Sequence, residues 1–156
     1  MKPKFLLDGM LGSLTRWLRI SGFDALYQRD AQDDELIKES IEWDRILLTR
    51  DRELVERARK MGVEAYFIRG TSSLEKLIDL RQKLGLSYSP QISRCPRCNG
   101  GLREVNKVEV SQRVPETSYN AFDDFWECDE CGTIYWKGSH WEKLKSTLSK
   151  ANSDGS

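Results

Sequence analysis

Arg45-Ile46-Leu47-Leu48-Thr49-Arg50-Asp51 is an apolar run with an abrupt charged end. It is short enough for a fully buried strand, and the segments on either side carry apolar residues at helical spacing. A buried strand between two helices belongs to a parallel sheet, because parallel pairs need long, usually helical, crossovers. In such sheets ligands bind outside the carboxyl ends of the strands. The run therefore carries Asp51 to the edge where a site would form.

The rest of the first ninety residues repeats this pattern. Phe5-Leu6-Leu7 ends at Asp8, and Leu11, Leu14 and Leu18 follow at helical period until Gly22. Phe23 to Tyr27 reads as a second strand. Asp33 and Asp34 precede the stripe Leu36, Ile37, Ser40 and Ile41, and either acid suits the N-cap. Leu54, Val55 and Ala58 mark a helix after Asp51, Val63 to Ile68 a fourth strand, and Ser72 or Ser73 caps a helix closed by Gly85. The expected order is β-α-β-α-β-α-β-α over residues 4–85, an α/β, doubly wound parallel sheet. Tyr88-Ser89-Pro90-Gln91 is a linker. Beyond it the composition changes to cysteines, aromatics and alternating segments such as Val105 to Val110, expected as strand. The tail is polar and expected to be frayed.

Bulk charge excludes a generally basic nucleic-acid binder. Lys plus Arg and Asp plus Glu are each 25, and neither side of Pro90 is a basic block. Any such binding requires a local patch. No apolar stretch is long enough to span a membrane, and the start is too soon charged for a signal peptide. Both point to a cytoplasmic protein, with no membrane partner, whose cysteines serve as metal ligands rather than disulfides.

Cys95-Pro96-Arg97-Cys98 and Cys128-Asp129-Glu130-Cys131 are two Cys-x-x-Cys pairs separated by 29 residues. Each pair turns two sulfurs toward one ion, and four thiolates form a closed tetrahedral zinc site. A redox dithiol would leave the other pair unexplained. The zinc is therefore structural, supplying about 10–16 kcal/mol as in comparable peptides. The gap between the pairs is expected to hold a β-hairpin. His140, the sole histidine, lies between aromatics as a packed or surface residue, or as a base-stacking or phosphate contact.

Asp8, Asp33 or Asp34, and Asp51 lie in three successive βα units, and a parallel sheet brings both strand tips and the helix start to one edge. Gathered carboxylates demand a cation, and oxygen ligands suit Mg²⁺ or Mn²⁺. Such ions activate water and stabilise the departing oxyanion in phosphodiester cleavage. Glu53 is a possible further ligand. Each acid also has a plain use as a helix cap. Arg16, Arg19, Arg50 and Arg52 would rim this edge for phosphate, or else pair with neighbouring acids.

Together, Phe5 to Leu14 with Trp17-Leu18-Arg19, Gly22-Phe23-Asp24, Leu47 to Asp51, Arg94 to Gly100 and Tyr135 to Trp141 resemble the Mut7-C RNase domain family over roughly residues 4–145. The resemblance implies a PIN-like nuclease domain at 1–88 and a zinc ribbon at 91–145, and the remaining residues, 146–156, are expected to be a disordered tail. It implies metal-dependent endoribonuclease chemistry on RNA. Asp8 is then the first acid, Asp51 the strand-end acid and Asp33 or Asp34 the helix-start acid. Spacing to Ser40 favours Asp33, and Glu53 stands where PIN domains often carry a fourth acid. The alternative is a non-catalytic module that binds RNA, ribosome or protein.

Overall fold

The computed structural model describes residues 2–153. Four short strands, β1 (Phe5–Asp8), β2 (Ala25–Gln28), β3 (Ile46–Thr49) and β4 (Ala65–Phe67), form a parallel sheet in the order β2-β1-β3-β4. Strand alternation splits their side chains between two cores. Phe5, Leu7 and Leu48 face one side, Leu6 and Leu47 the other. Helices α1 (Gly12–Ile20) and α4 (Ser73–Leu84) cover the first face through Leu14, Leu18, Leu77 and Leu80. Helices α2 (Asp33–Glu42) and α3 (Arg52–Lys60) cover the second through Leu36, Ile37, Leu54 and Ala58. Full burial of each leucine contributes about 1.5–3 kcal/mol, so both faces are firmly held. The doubly wound α/β expectation holds.

Cap positions follow local chemistry. Asp51 caps α3, and Ser72 caps α4 in a reciprocal box with Glu75. Gly85 closes α4 in the left-handed region at φ 69°. Neither Asp33 nor Asp34 caps α2. Gln32 holds that position, and both acids lie in the first turn, where the helix dipole favours negative charge.

The second unit is a three-stranded antiparallel sheet of β5 (Leu102–Val105), β6 (Phe125–Cys128) and β7 (Ile134–Tyr135). The strand expected through Val110 stops at Val105. Lys107–Val110 forms a 3₁₀ turn whose Glu109 carboxylate accepts the Asn106 N–H at 3.3 Å. A short helix, α5 (Glu116–Ala121), follows, so β5 and β6 pair across a helical excursion instead of a tight hairpin.

The expected disordered tail at 146–156 needs correction. Trp141–Ser153 is a helix, α6, that returns to the first unit and packs on α4. Leu148 and Ala151 are buried in the core of the first face. The Asn152 side chain pairs with both the N–H and the C=O of Tyr88, at 2.8 and 2.6 Å, and Arg81 donates to the Asn152 carbonyl. Apolar burial and a satisfied linker backbone outweigh the polar composition of this segment. Residues 154–156 of that expectation lie outside the described residues.

The two units meet beside the edge strand β2. Its outward Ala25 N–H donates to Asn99 Oδ1 at 3.1 Å, and its Ala25 carbonyl accepts from Arg19 Nε at 2.8 Å. Arg19 also donates to the Pro96 carbonyl, and Asn99 to Asp24. Asp24 further binds Arg45 at 2.7 Å and Arg94 at 3.5 Å. These contacts occupy an edge that would otherwise template aggregation. They lie at the amino end of β2, so the cysteine-bearing unit docks away from the Asp8 and Asp51 edge.

Leu148→Ala is expected to lower the unfolding free energy by about 2–4 kcal/mol, whereas exposed Ser149→Ala stays within about 0.5 kcal/mol; urea denaturation checks both, and equal effects would dissociate α6 from the core. Burial acts to raise the Asp24 pKa, but hydrogen bonds from Arg45 and Asn99 prevail and hold it below the usual value. Its contribution is therefore fully present above about pH 4 and lost as pH falls through the depressed value. The stability gap between wild type and Asp24→Asn should close over that window; a gap constant into acid would exclude an ionised Asp24.

Candidate functional site

The strand order reverses between β1 and β3: the chain leaves β1 toward β2, then crosses back to β3 on the other side. Open α/β sheets bind ligands in the crevice at the carboxyl end of such a switch point. Asp8 ends β1 there, and Thr49 and Asp51 end β3. One Asp8 oxygen accepts the Gly9 N–H at 2.5 Å, and the other accepts the Thr49 hydroxyl at 2.8 Å. The same hydroxyl accepts the Asp51 N–H at 3.1 Å. Thr49, fully buried, thus couples the two acids. Asp51 Oδ1 accepts hydrogen bonds from the N–H groups of Glu53 and Leu54, at 3.0 and 3.2 Å.

The loop after Asp8 is tightly set. Tyr27 donates its hydroxyl to the Gly9 carbonyl at 2.5 Å. A Cβ on residue 9 would lie 2.5 Å from the Arg29 carbonyl oxygen, so only glycine fits.

The other acids are arranged differently. Asp33 and Asp34 are both held by Arg57 of α3, the former at 3.2 Å. Glu53 is exposed in the first turn of α3. Among the described residues, the one group of three or more metal-ligating side chains drawn within 4.8 Å is the cysteine cluster. The structure thus places Asp8 and Asp51 at the same edge of the sheet, linked through Thr49, and pairs Asp33 and Asp34 with Arg57. Mg²⁺ is commonly bound by one or two carboxylates plus waters and substrate phosphate, and Asp8 with Asp51 fits that donor set. The Arg57 clamp is solvent-exposed and costs only about 0–1 kcal/mol to open.

The arginines divide by use. Arg19 is 7% exposed and holds Ala25 and Pro96. Arg50 donates to the Ile68 and Gly70 carbonyls, tying the end of β3 to the loop after β4. Both are structural supports rather than a solvated rim. Arg52 stacks on Phe67 at 4.1 Å, and Arg16 stands exposed on α1. His140 is exposed at the start of α6 and lies in the ribbon groove with Trp141.

The four cysteine sulfurs gather with Cys95 to Cys131 at 3.7 Å and Cys98 to Cys128 at 3.4 Å. A tetrahedron with zinc–sulfur bonds of about 2.3 Å has edges near 3.8 Å, so the cluster fits zinc. Backbone N–H groups of Gly100, Glu130 and Cys131, together with the Tyr135 hydroxyl, are directed at sulfur. Gly100 is required, since a Cβ there would sit 2.9 Å from Cys128 Sγ. Hydrogen bonds from Thr133 lower the Cys131 thiol to about 6, while desolvation pushes Cys98 up to about 12. A cation at the centre resolves that conflict by favouring all four thiolates. With four sulfurs present no position is open for chemistry.

Sequence reasoning missed Thr49 and Arg57. Thr49 carried a signal as the last residue of a buried run, directly before the strand-end acid. Arg57 carried none, because its partners lie 23 and 24 residues away on another helix.

A model of the Mut7-C RNAse domain family matches residues 3–148. No curated protein and no solved structure matches the chain. Among the described residues no helix is long and apolar enough to cross a membrane.

Thiol modification is expected to release one zinc per chain, read with a zinc-binding dye, and Cys98→Ser to abolish it. Loss of zinc should also change the emission of Trp126 and Trp136, which lie in and beside the ribbon sheet. Full zinc content in Cys98→Ser would exclude a four-thiolate site.

Proposed function

Because the chain belongs to the Mut7-C RNAse domain family, whose name indicates ribonuclease-like activity, we propose that it is a metal-dependent endoribonuclease working at the β1/β3 crevice. The observation that supports this reading is the Asp8–Thr49–Asp51 linkage, in which Thr49 bonds the Asp8 carboxylate and the Asp51 backbone N–H at the sheet's switch point. Mg²⁺ or Mn²⁺ bound there would activate water and neutralise charge at a scissile phosphodiester. Asp8 and Asp51 would hold that ion. Thr49 fixes the Asp8 carboxylate by donating to it. Asp33 would be a third ligand if released by Arg57, with Asp34 retained by Arg57, and Glu53, two residues after Asp51, would be a fourth acid. Arg16 and Arg52 are exposed cations available for RNA phosphates. The zinc is structural and remote from the reaction.

A second reading draws on the Arg57 clamp: with Asp33 and Asp34 neutralised, the fold would bind RNA, a ribosome or a protein without cutting. Cleavage assays with Mn²⁺ separate the two. Asp51→Asn keeps a good N-cap and should leave thermal stability nearly unchanged. Its activity should fall about 100-fold or more, as expected when a group that stabilises developing charge is removed, and Asp8→Asn should behave likewise. Arg57→Ala should preserve cleavage and tighten Mn²⁺ binding. RNA cut equally by wild type and Asp8→Asn would leave the binding module as the better account.

A further inference from the structure

Two adjoining grooves run between α1 and the zinc-bearing unit, and they share Arg16, Pro96 and Tyr135. The smaller, of about 480 Å³, begins at Gly12 and Tyr27 beside the carboxyl edge of the sheet and includes Arg97. The larger, of about 950 Å³, continues past Trp136, His140 and Trp141 at the start of α6. Gly12 opens the first groove and Ile20 lines the second, so together they follow α1 along its length.

Charge is sorted sharply here. Among the described residues no acid lines either groove, whereas Arg16, Arg97, His140 and the nearly buried Arg19 do. The groove between α2 and α3, by contrast, contains Asp34 and Glu42. Aromatic surface is concentrated in the same place: Tyr27 and Tyr135 in the smaller groove, Phe122, Trp136 and Trp141 in the larger. Lys137 lies over the Trp141 ring at 5.0 Å, adding a cation at the rim. A positive, acid-free trough with successive aromatic faces is the chemistry that holds a single nucleic-acid strand, through backbone charge and sequence-tolerant base stacking. A duplex keeps its bases stacked inside and cannot use those faces.

We propose that these grooves form one track for single-stranded RNA, leading from the β1/β3 crevice along α1 to Trp136 and Trp141. The substrate class is then RNA with an unpaired extension next to the cut. This rests on the endoribonuclease reading for its choice of RNA, but binding to the track does not depend on cleavage.

The test therefore measures binding in the Asp8→Asn background without added divalent ions. The probe is a labelled single-stranded oligoribonucleotide of about a dozen nucleotides, compared with its blunt duplex. The single strand should bind more tightly than the duplex and quench tryptophan emission. Arg16→Glu combined with Arg97→Glu should weaken it about tenfold or more and reduce the salt slope by about 0.7 for each phosphate no longer neutralised. Lys38→Glu with Lys60→Glu, on the α2–α3 side, should leave affinity within about twofold. His140→Ala, an exposed change, should also weaken binding, and zinc content confirms folding of each variant. Equal affinity for strand and duplex, unchanged binding in the Arg16/Arg97 variant, or an equal loss in the Lys38/Lys60 variant would overturn the track. Failure of cleavage with binding intact would instead overturn only the nuclease reading.

Discussion

Asp24 holds the two units of this protein together. Its half-buried carboxylate takes Arg45 from the turn before β3, Asn99 from the zinc knuckle and Arg94 from the segment leading into it. Its own carbonyl accepts the Phe5 N–H, so the residue is also part of the sheet. Removing a charge from water is costly unless partners replace the lost hydration, and three partners from separate parts of the chain do so here. The network is satisfied only when the ribbon is folded and docked. A zinc ion held by the four cysteines would therefore bear, through Asn99, on the edge of a sheet that supplies none of those thiolates.

This docking leaves the other end of the sheet open. The amino end of β2 is covered by Asn99 and Arg19, while Asp8 and Asp51 stand at the carboxyl end of β1 and β3, linked through Thr49. Helix α1 joins the two ends. Its first residues lie at the acidic edge, and its last turn supplies Arg19 to the ribbon. α6 then crosses back over α4, so the second unit is held at both its beginning and its end. A unit fastened at two points can present a groove of fixed shape, as a nucleic-acid track requires.

Much of this was legible in the sequence, and the exceptions have physical causes. Short buried runs, glycine stops and the cysteine pairs are local signals, and all led to the observed elements. The 3₁₀ turn at Lys107–Val110 looked like a strand because Lys-Val-Glu-Val alternates, but Asn106 and Glu109 stand at the spacing of a capping box, which marks a helical start. In α6, Leu144, Leu148 and Ala151 do fall at helical period; lysines and serines around them masked a stripe that becomes apolar only against α4. Arg19 resembled Arg16 in sequence, three residues earlier on the same helix. What separates them is an edge-strand carbonyl in need of a donor, which is a tertiary fact. The pairing of Asp33 and Asp34 with Arg57 is tertiary in the same way.

The neutral total charge is the feature that the structure reinterprets most. Counting along the chain finds no basic block, because cations and anions are interspersed through both halves of it. Folding sorts them in space instead. Arg16 and Arg19 of α1, a helix with no acidic residue, and Arg97 line a shared trough, while acids such as Asp24 and Glu127 are paired with cations. Screening confines a charge to a neighbourhood of about 8–10 Å at ordinary ionic strength, so a polyanion entering the trough responds to those arginines and not to the distant acids. Net charge governs the long-range field of a protein; contact with a strand is decided by the few cations that line its path.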